Sequence, residues 1–572
     1  MKPVRLAAAA TLALPRWALL GLGLLYILPG LIGRELWKED AAGFGVMWTM
    51  AQGGLADWLA PNLAGLPIHD DGPLAYWLGA LCIKLFGWLT GGAMAARLSN
   101  IGIFVLGTMS VWFTAYHLGR RPEAQPLRLA FGGQPEPDDY GRTLADTAVL
   151  IYLGCLGLLL FSHETLAVTL HGSLVAYFLY RAVRYVEHTS LRNAALVGLA
   201  LGAMTLARGW LTPAVLSLAL LLCTRFLSLP FARTLSHLLL AVTTAALMAL
   251  AWTVAAAMLL QQGTDPVLGW LDWNLKQFGW PVWTSAKTFL RTGIWFFWPA
   301  WPFAGWAIYA WRRQHHLLHI VLPLFVVGAL TLLMLCDPVP DNGDLLKLLP
   351  PLAIMAAFGL PTMKRGAINA IDWFSVMVLT MLAGLLWVFY LAKLTGWPAQ
   401  PARNLLKLLP GFVPEFGWLP FLVAACATAG WIFLVLWRIS RQPAVLWRAV
   451  VLSSGGLILL WVMLTTLFLQ DINYSKSYAS VARQLAASLP AGSGCVEGNL
   501  GLAQRASFAY YGALPFSRPG QQCSLRLLQD SVRVRDRKEA IPALDSAQWQ
   551  LVWEGRRPSD RDERFRLYQR QP

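Results

Sequence analysis

Charge is scarce in this sequence. Of 572 residues only 13% are Asp, Glu, Lys or Arg, while 57% are hydrophobic and 28 are tryptophan. A soluble domain carries about 25% charged residues to solvate its surface, so an ordinary soluble enzyme, a disordered chain and a disulfide-rich secreted module are all excluded. Acids are the scarcer sign, 30 against 46 Lys and Arg, for a formal net charge of +16. That excess does not point to nucleic acid. The basic residues sit in short clusters between apolar runs, as in loops held on the cytoplasmic side of a membrane. No P-loop and no serine-nucleophile motif is apparent, and no internal repeat is evident, which weighs against inverted-repeat transporter plans. With a mean hydropathy of +0.52, the chain reads as an integral membrane protein.

Thirteen apolar runs able to cross about 30 Å of hydrocarbon begin near Trp17, Ala96, Thr143, Leu166, Asn193, Leu211, Ser236, Arg291, Leu317, Leu345, Ile368, Trp418 and Val445. A further candidate, Pro73 to Leu89, is short and contains Lys84. If it does not cross, the clusters Lys2/Arg5/Arg16, Arg120/Arg121/Arg128/Arg142, Arg181/Arg184/Arg192, Arg225/Arg233, Arg312/Arg313, Lys364/Arg365 and Arg438/Arg441/Arg448 fall on one side. The segment is therefore expected to lie along the outer surface or dip into it, with the N-terminus cytoplasmic. The first span reads as an anchor, since Pro29-Gly30-Leu31-Ile32-Gly33 leads without a cleavage site into a Trp-rich charged loop.

The expected fold class is a multi-span α-helical membrane protein of about 13 helices with a small α/β periplasmic domain at its C-terminus. The membrane domain is expected over residues 1–469, with a long first outer loop at 34–95, and the C-terminal domain over 470–572. Cys82, Cys155, Cys223, Cys336 and Cys426 lie in apolar runs and read as core. Cys495 and Cys523 form the tail's single pair, and on the outer side they are expected to be a disulfide.

The first outer loop concentrates polar groups that burial in a membrane does not explain, and long loops are usually functional. It runs Trp37-Lys38-Glu39-Asp40, then Asp57-Trp58-Leu59-Ala60-Pro61-Asn62-Leu63-Ala64-Gly65, then Asp70-Asp71-Gly72-Pro73-Leu74-Ala75-Tyr76-Trp77. An acidic pair after the first span, an acidic-Trp-x-x-Pro-x-Leu-x-Gly stretch and a closing Pro-Leu-x-Tyr-Trp occur here in order. In this the sequence resembles the C-type multi-span glycosyltransferases, in particular the bacterial aminoarabinose transferases of lipid A and, more distantly, the protein O-mannosyltransferases.

The resemblance implies a C-type glycosyltransferase fold. It also implies a sugar donor on undecaprenyl phosphate or a similar polyprenyl phosphate, and an acceptor that is lipid A, another glycolipid or a protein hydroxyl. It places the catalytic carboxylate at Asp40, with Glu39 as the second member of the pair. Asp70 takes the family's metal-binding acidic position, while the Lys that follows it in the family is absent. Glu164 and His171 stand where a second acidic residue is expected, so Asp40, Asp70, Glu164 and His171 together are the candidate set for a divalent metal, Zn, Mg or Mn. Arg97, Arg208 and Lys347 match basic positions near the outer face and, with Tyr76, are the candidate donor-phosphate site.

The chemistry asks for these groups. Releasing a lipid phosphate builds negative charge that cations must meet, and a hydroxyl acceptor needs a carboxylate to take its proton. The blander readings are a solvated carboxylate at Glu39, an Asx turn at Asp70-Asp71, snorkelling Arg97, Arg208 and Lys347, and a packed His171. Tyr76, Trp77 and the Trp270 to Trp283 stretch read mainly as interface-belt aromatics, and Asp337, Asp341 and Asp344 as a solvated turn. The rival class is a lipid-phosphate transporter or non-catalytic membrane scaffold.

Overall fold

A computed structural model describes residues 4, 6–127, 133–259, 265–440, 447–489, 494–518, 520–531, 548–560 and 562–571. Lys2, Arg5, Arg128, Arg441 and the expected span start at Val445 lie outside these residues.

Each of the thirteen expected runs contains a helix or a pair of short helices. Among the described residues, seven helices are long and apolar enough to cross a membrane: Gly92–Arg120, Phe231–Met258, Leu318–Leu335, Asn342–Thr362, Gly366–Thr395, Trp418–Arg438 and Val450–Leu467. Arg16–Ile27, Leu191–Ala207 and Leu211–Phe226 are apolar but shorter. The run beginning near Arg291 is broken into Trp283–Phe296 and Ala300–Ala310 at Pro299, a residue that cannot donate to a helix ladder.

Small residues set the helix crossings, as expected where neighbours must approach without a hydrophobic driving force. A Cβ on Gly119 would stand 3.0 Å from the Cα of Gly141, joining Gly92–Arg120 to Pro137–Leu153. A Cβ on Gly107 would meet the Ser173 hydroxyl at 2.7 Å, so Ala167–Glu187 closes on the same helix.

The first outer loop is built of its own short elements. Asp40 precedes the helix Ala41–Gln52, and strands β1 (Asn62–Leu63) and β2 (Leu66–Pro67) pair antiparallel. Ala64 and Gly65 make the turn between them with φ of 48° and 87°, the positive-φ pattern of a tight hairpin. The Pro73 to Leu89 candidate is the helix Leu74–Thr90, 17 residues and so roughly 25 Å long. It packs on Ala41–Gln52 and turns at Gly91 into Gly92–Arg120.

Beyond Leu469–Lys476 and Ala479–Ala487 lies a four-stranded sheet of β3 (Val496–Asn499), β4 (Leu525–Ser531), β5 (Trp549–Gly555) and β6 (Glu563–Arg570), in the order β3-β4-β6-β5. β3 and β4 are parallel and the other pairs antiparallel. The sheet buries Leu525, Leu527, Phe565 and Leu567 against Phe508 and Tyr478. Cys495 and Cys523 form the expected disulfide, with a Cα separation of 5.3 Å.

This sheet domain is not pendant. Its helix Leu502–Tyr511 lies on the first outer loop, with Tyr510 edge-on to Phe44 and Trp48. Arg505 donates to the backbone oxygens of Leu63 (3.1 Å) and Ala64 (2.7 Å), fixing the β1–β2 hairpin. Asn473 accepts from the Trp37 indole at 2.9 Å, and the Leu36 amide donates to the Tyr511 hydroxyl at 3.0 Å.

Candidate active site

Polar groups gather in two places. The first surrounds Asp40, which is fully buried. Arg34 reaches one of its oxygens at 3.3 Å and Arg97 the other at 3.6 Å. Arg97 also donates to the backbone oxygens of Arg34 and Glu35, so it shapes the chain leading into Asp40 as well as neutralising it. Thr165 donates its hydroxyl to the Asp40 backbone oxygen at 3.1 Å. A Cβ on Gly43 would sit 1.9 Å from the Thr165 oxygen, which requires glycine there. Neither Asp40 carboxylate oxygen has a hydrogen-bond partner among the described residues, so both retain lone pairs for an incoming donor.

Glu164 stands beside this group, 4.0 Å from Arg34. Burial pushes its carboxyl up to about 8, the Asp40 charge adds to the rise, and Arg34 opposes it. Glu39 points elsewhere, pairing at 2.8 Å with Lys476 of the C-terminal segment.

The second group is centred on Arg208, at the end of Leu191–Ala207. It contacts Asp344 at 3.2 Å, Asp71 at 3.4 Å and Asp341 at 3.7 Å. Lys347 pairs with Asp344 at 2.9 Å. The Tyr76 hydroxyl donates to Asp71 at 3.0 Å. Burial raises the Asp71 carboxyl to about 7, against the pull of Arg208 and of the Tyr76 hydrogen bond. Burial lowers Arg208, but the charges of Asp344, Asp71 and Asp341 outweigh that and raise it overall. His171 is buried here near Lys347 and Asp344, and neither of its ring nitrogens has a partner among the described residues.

The segment from Thr165 to His171 joins the groups, holding Asp40 at one end and reaching the Lys347 group at the other.

The structure revises several expectations. Arg208, Lys347 and Tyr76 share one site, but Arg97 belongs to Asp40, where its guanidinium is committed. Asp344 is no solvated turn residue, since it is buried between Arg208 and Lys347. Trp270 is buried, not in an interface belt, and donates to the Arg208 backbone oxygen at 3.2 Å. The four candidate metal ligands do not converge. Asp40 and Glu164 are in the first group, His171 is in the second, and Asp70 is exposed. No group of three His, Cys, Asp or Glu able to hold a metal occurs among the described residues, and Asp40 already faces two guanidinium groups.

Arg34 draws no reading in the sequence, and Asp344 reads there as part of a solvated turn. Arg34 looks like any charge flanking a span. Asp344 carried one usable signal, its position three residues before Lys347, which places both on one helical face.

No protein-family profile and no curated protein matches the chain. Among solved structures it is similar to ArnT from Cupriavidus metallidurans. The structure bound to undecaprenyl phosphate superposes with a TM-score of 0.66 at 14% identity, covering 96% of this chain and 98% of that one. The apo structure gives 0.64 at 15% identity, covering 96% and 97%. Likeness at this identity establishes architecture, so the chain has the C-type glycosyltransferase fold of a multi-span helical membrane protein with a small C-terminal sheet domain.

Proposed function

We propose that this protein is a membrane glycosyltransferase that takes a sugar from a polyprenyl phosphate such as undecaprenyl phosphate and passes it to lipid A or another glycolipid. The setting is the periplasmic face of a bacterial inner membrane, consistent with the one-sided basic clusters and the disulfide. The observation that carries the reading is Asp40, a carboxylate buried between two arginines, neither of whose oxygens has a hydrogen-bond partner among the described residues. Similarity in fold to a structure that holds undecaprenyl phosphate supports the donor class.

The donor phosphate sits against Arg208 and Lys347. As the bond from the sugar's anomeric carbon to the phosphate oxygen breaks, the leaving lipid phosphate gains negative charge, and these cations meet it by exchanging their aspartate partners for the phosphate. The acceptor oxygen forms the new bond to that carbon. If it is a hydroxyl, its proton goes to an Asp40 oxygen; a phosphate acceptor arrives already ionised and needs no base. The donor set does not fit a divalent metal, so no step runs through one.

Purified protein incubated with a radiolabelled sugar on an extracted polyprenyl phosphate should transfer label to lipid A, and Asp40→Asn should abolish transfer at unchanged expression. Wild-type inactivity with every plausible lipid donor would favour a transporter or scaffold.

A further inference from the structure

A groove of about 490 Å³ opens beside the first outer loop, away from the charge clusters just described. Its size suits a ligand-binding cleft. One wall is membrane-spanning helix: Leu386 and Phe389 from Arg365–Thr395, and Leu464 from Arg448–Leu467, with Phe468 just after it. The short helix Ala399–Leu408 adds Leu405 and Leu408. Its other face carries Arg403 and Lys407, the pattern of a helix lying in a membrane interface.

The far end of the groove is polar, lined by Lys38, Ser475, Arg557 and Ser559. The groove's acids are already matched. Asp471 is buried against Lys393 at 2.7 Å, and Asp560 is 2.9 Å from Arg557. Lys38 is exposed and, among the described residues, has no ion-pair partner. Its amide donates to the Lys476 backbone oxygen at 3.2 Å, which fixes its position, and it lies two residues before Asp40. The groove therefore has an apolar half lined by spanning helices and a polar half with one surplus positive charge, carried by a residue two positions before the carboxylate proposed to act on the acceptor.

Resting on the glycosyltransferase reading, we infer that this groove is the acceptor site: a phosphorylated glycolipid enters sideways from the bilayer, its acyl chains on Leu386, Phe389 and Leu464 and its anionic headgroup on Lys38. Donor and acceptor then approach Asp40 from different sides, the donor from Arg208 and the acceptor from Lys38.

The test is direct binding of purified lipid A to the full-length protein in phosphatidylcholine nanodiscs, read by native mass spectrometry. Lys38→Glu should weaken lipid A binding about fivefold or more, the scale of one exposed ion contact. Leu464→Trp, which fills the groove, should abolish it. Undecaprenyl phosphate binding should be unchanged in both variants, which also shows that they fold. Unaltered lipid A binding in both variants, selective loss of undecaprenyl phosphate, or equal displacement of lipid A by phosphatidylglycerol would each overturn the inference. Groove-dependent lipid A binding by a wild-type protein that transfers no sugar would uphold the groove while sinking the transferase reading.

Discussion

The two polar groups are built from the same residue types and balanced differently. Around Asp40, two arginines face one buried carboxylate, and the neighbouring Glu164 is held in its neutral form near pH 7. Around Arg208, two cations face Asp344, Asp341 and an Asp71 poised near neutrality. The first group keeps a net positive charge without a ligand, whereas the second is already neutralised. A cation alone therefore does not mark a phosphate site. Arg97 is held by backbone oxygens and a buried carboxylate, while Arg208 and Lys347 hold partners that an anion can replace.

The largest expected effect tests the chemical half of that contrast. Asp40→Asn keeps the shape and an oxygen for one arginine but turns an amide nitrogen toward the other and removes the proton acceptor, so transfer to a hydroxyl acceptor should fall by about 10²–10⁴-fold. Transfer assays on protein matched for expression and thermal stability provide the measurement. Near wild-type turnover would remove Asp40 from the chemistry and leave the first group a structural fastener.

The next prediction separates the arginines. Arg97→Gln leaves Arg34 alone with Asp40 and unties the Arg34 and Glu35 carbonyls, a buried-pair loss of about 3 kcal/mol. It should lower the melting temperature in detergent while leaving donor affinity unchanged in the protein that remains folded. Arg208→Gln should instead raise the donor KM about tenfold, the scale of one charge-assisted contact to phosphate. If both variants raised donor KM equally, the two groups would be a single phosphate clamp.

How much of this the sequence disclosed follows from where the information resides. The first outer loop as a place where polar groups gather was legible because its signal is local: an acidic pair and two more motifs in fixed order. Helix positions in the apolar runs were legible because hydropathy is a property of consecutive residues. Arg34, Asp344 and the fate of Arg97 were not, because each depends on pairing segments far apart in the chain, such as Arg208 with Asp344 across 136 positions. The Asn342-Gly343 turn beside Asp344 even pointed the wrong way, since turn chemistry is usually solvated. The metal set failed for the same reason. Four plausible ligands in sequence order say nothing about convergence.

A third prediction uses the charge that the second group can change. Asp71 is neutral below about pH 7 and anionic above it, because burial raises it more than Arg208 and Tyr76 lower it. A polyprenyl phosphosugar is a phosphodiester whose charge is fixed across this range. Ionised Asp71 competes with it for Arg208, so donor KM should rise as pH increases through about 7. The profile should flatten in Asp71→Asn. A profile unchanged by that substitution would assign the titration elsewhere.

The smallest expected effect concerns Glu39, Asp40's partner in the acidic pair. Its carboxylate is bound to Lys476 with both side chains partly exposed, at 31% and 39%, and exposed ion pairs contribute about 0–1 kcal/mol. Glu39→Gln should therefore cost at most about fivefold in transfer, and Lys476→Met should match it, since either change removes the same tie between loop and C-terminal domain. Raised ionic strength should shrink the difference from wild type, because a pair in solvent is screened. If Glu39→Gln fell as far as Asp40→Asn while Lys476→Met stayed active, Glu39 would act on the substrate, and the acidic pair rather than Asp40 alone would be the catalytic unit.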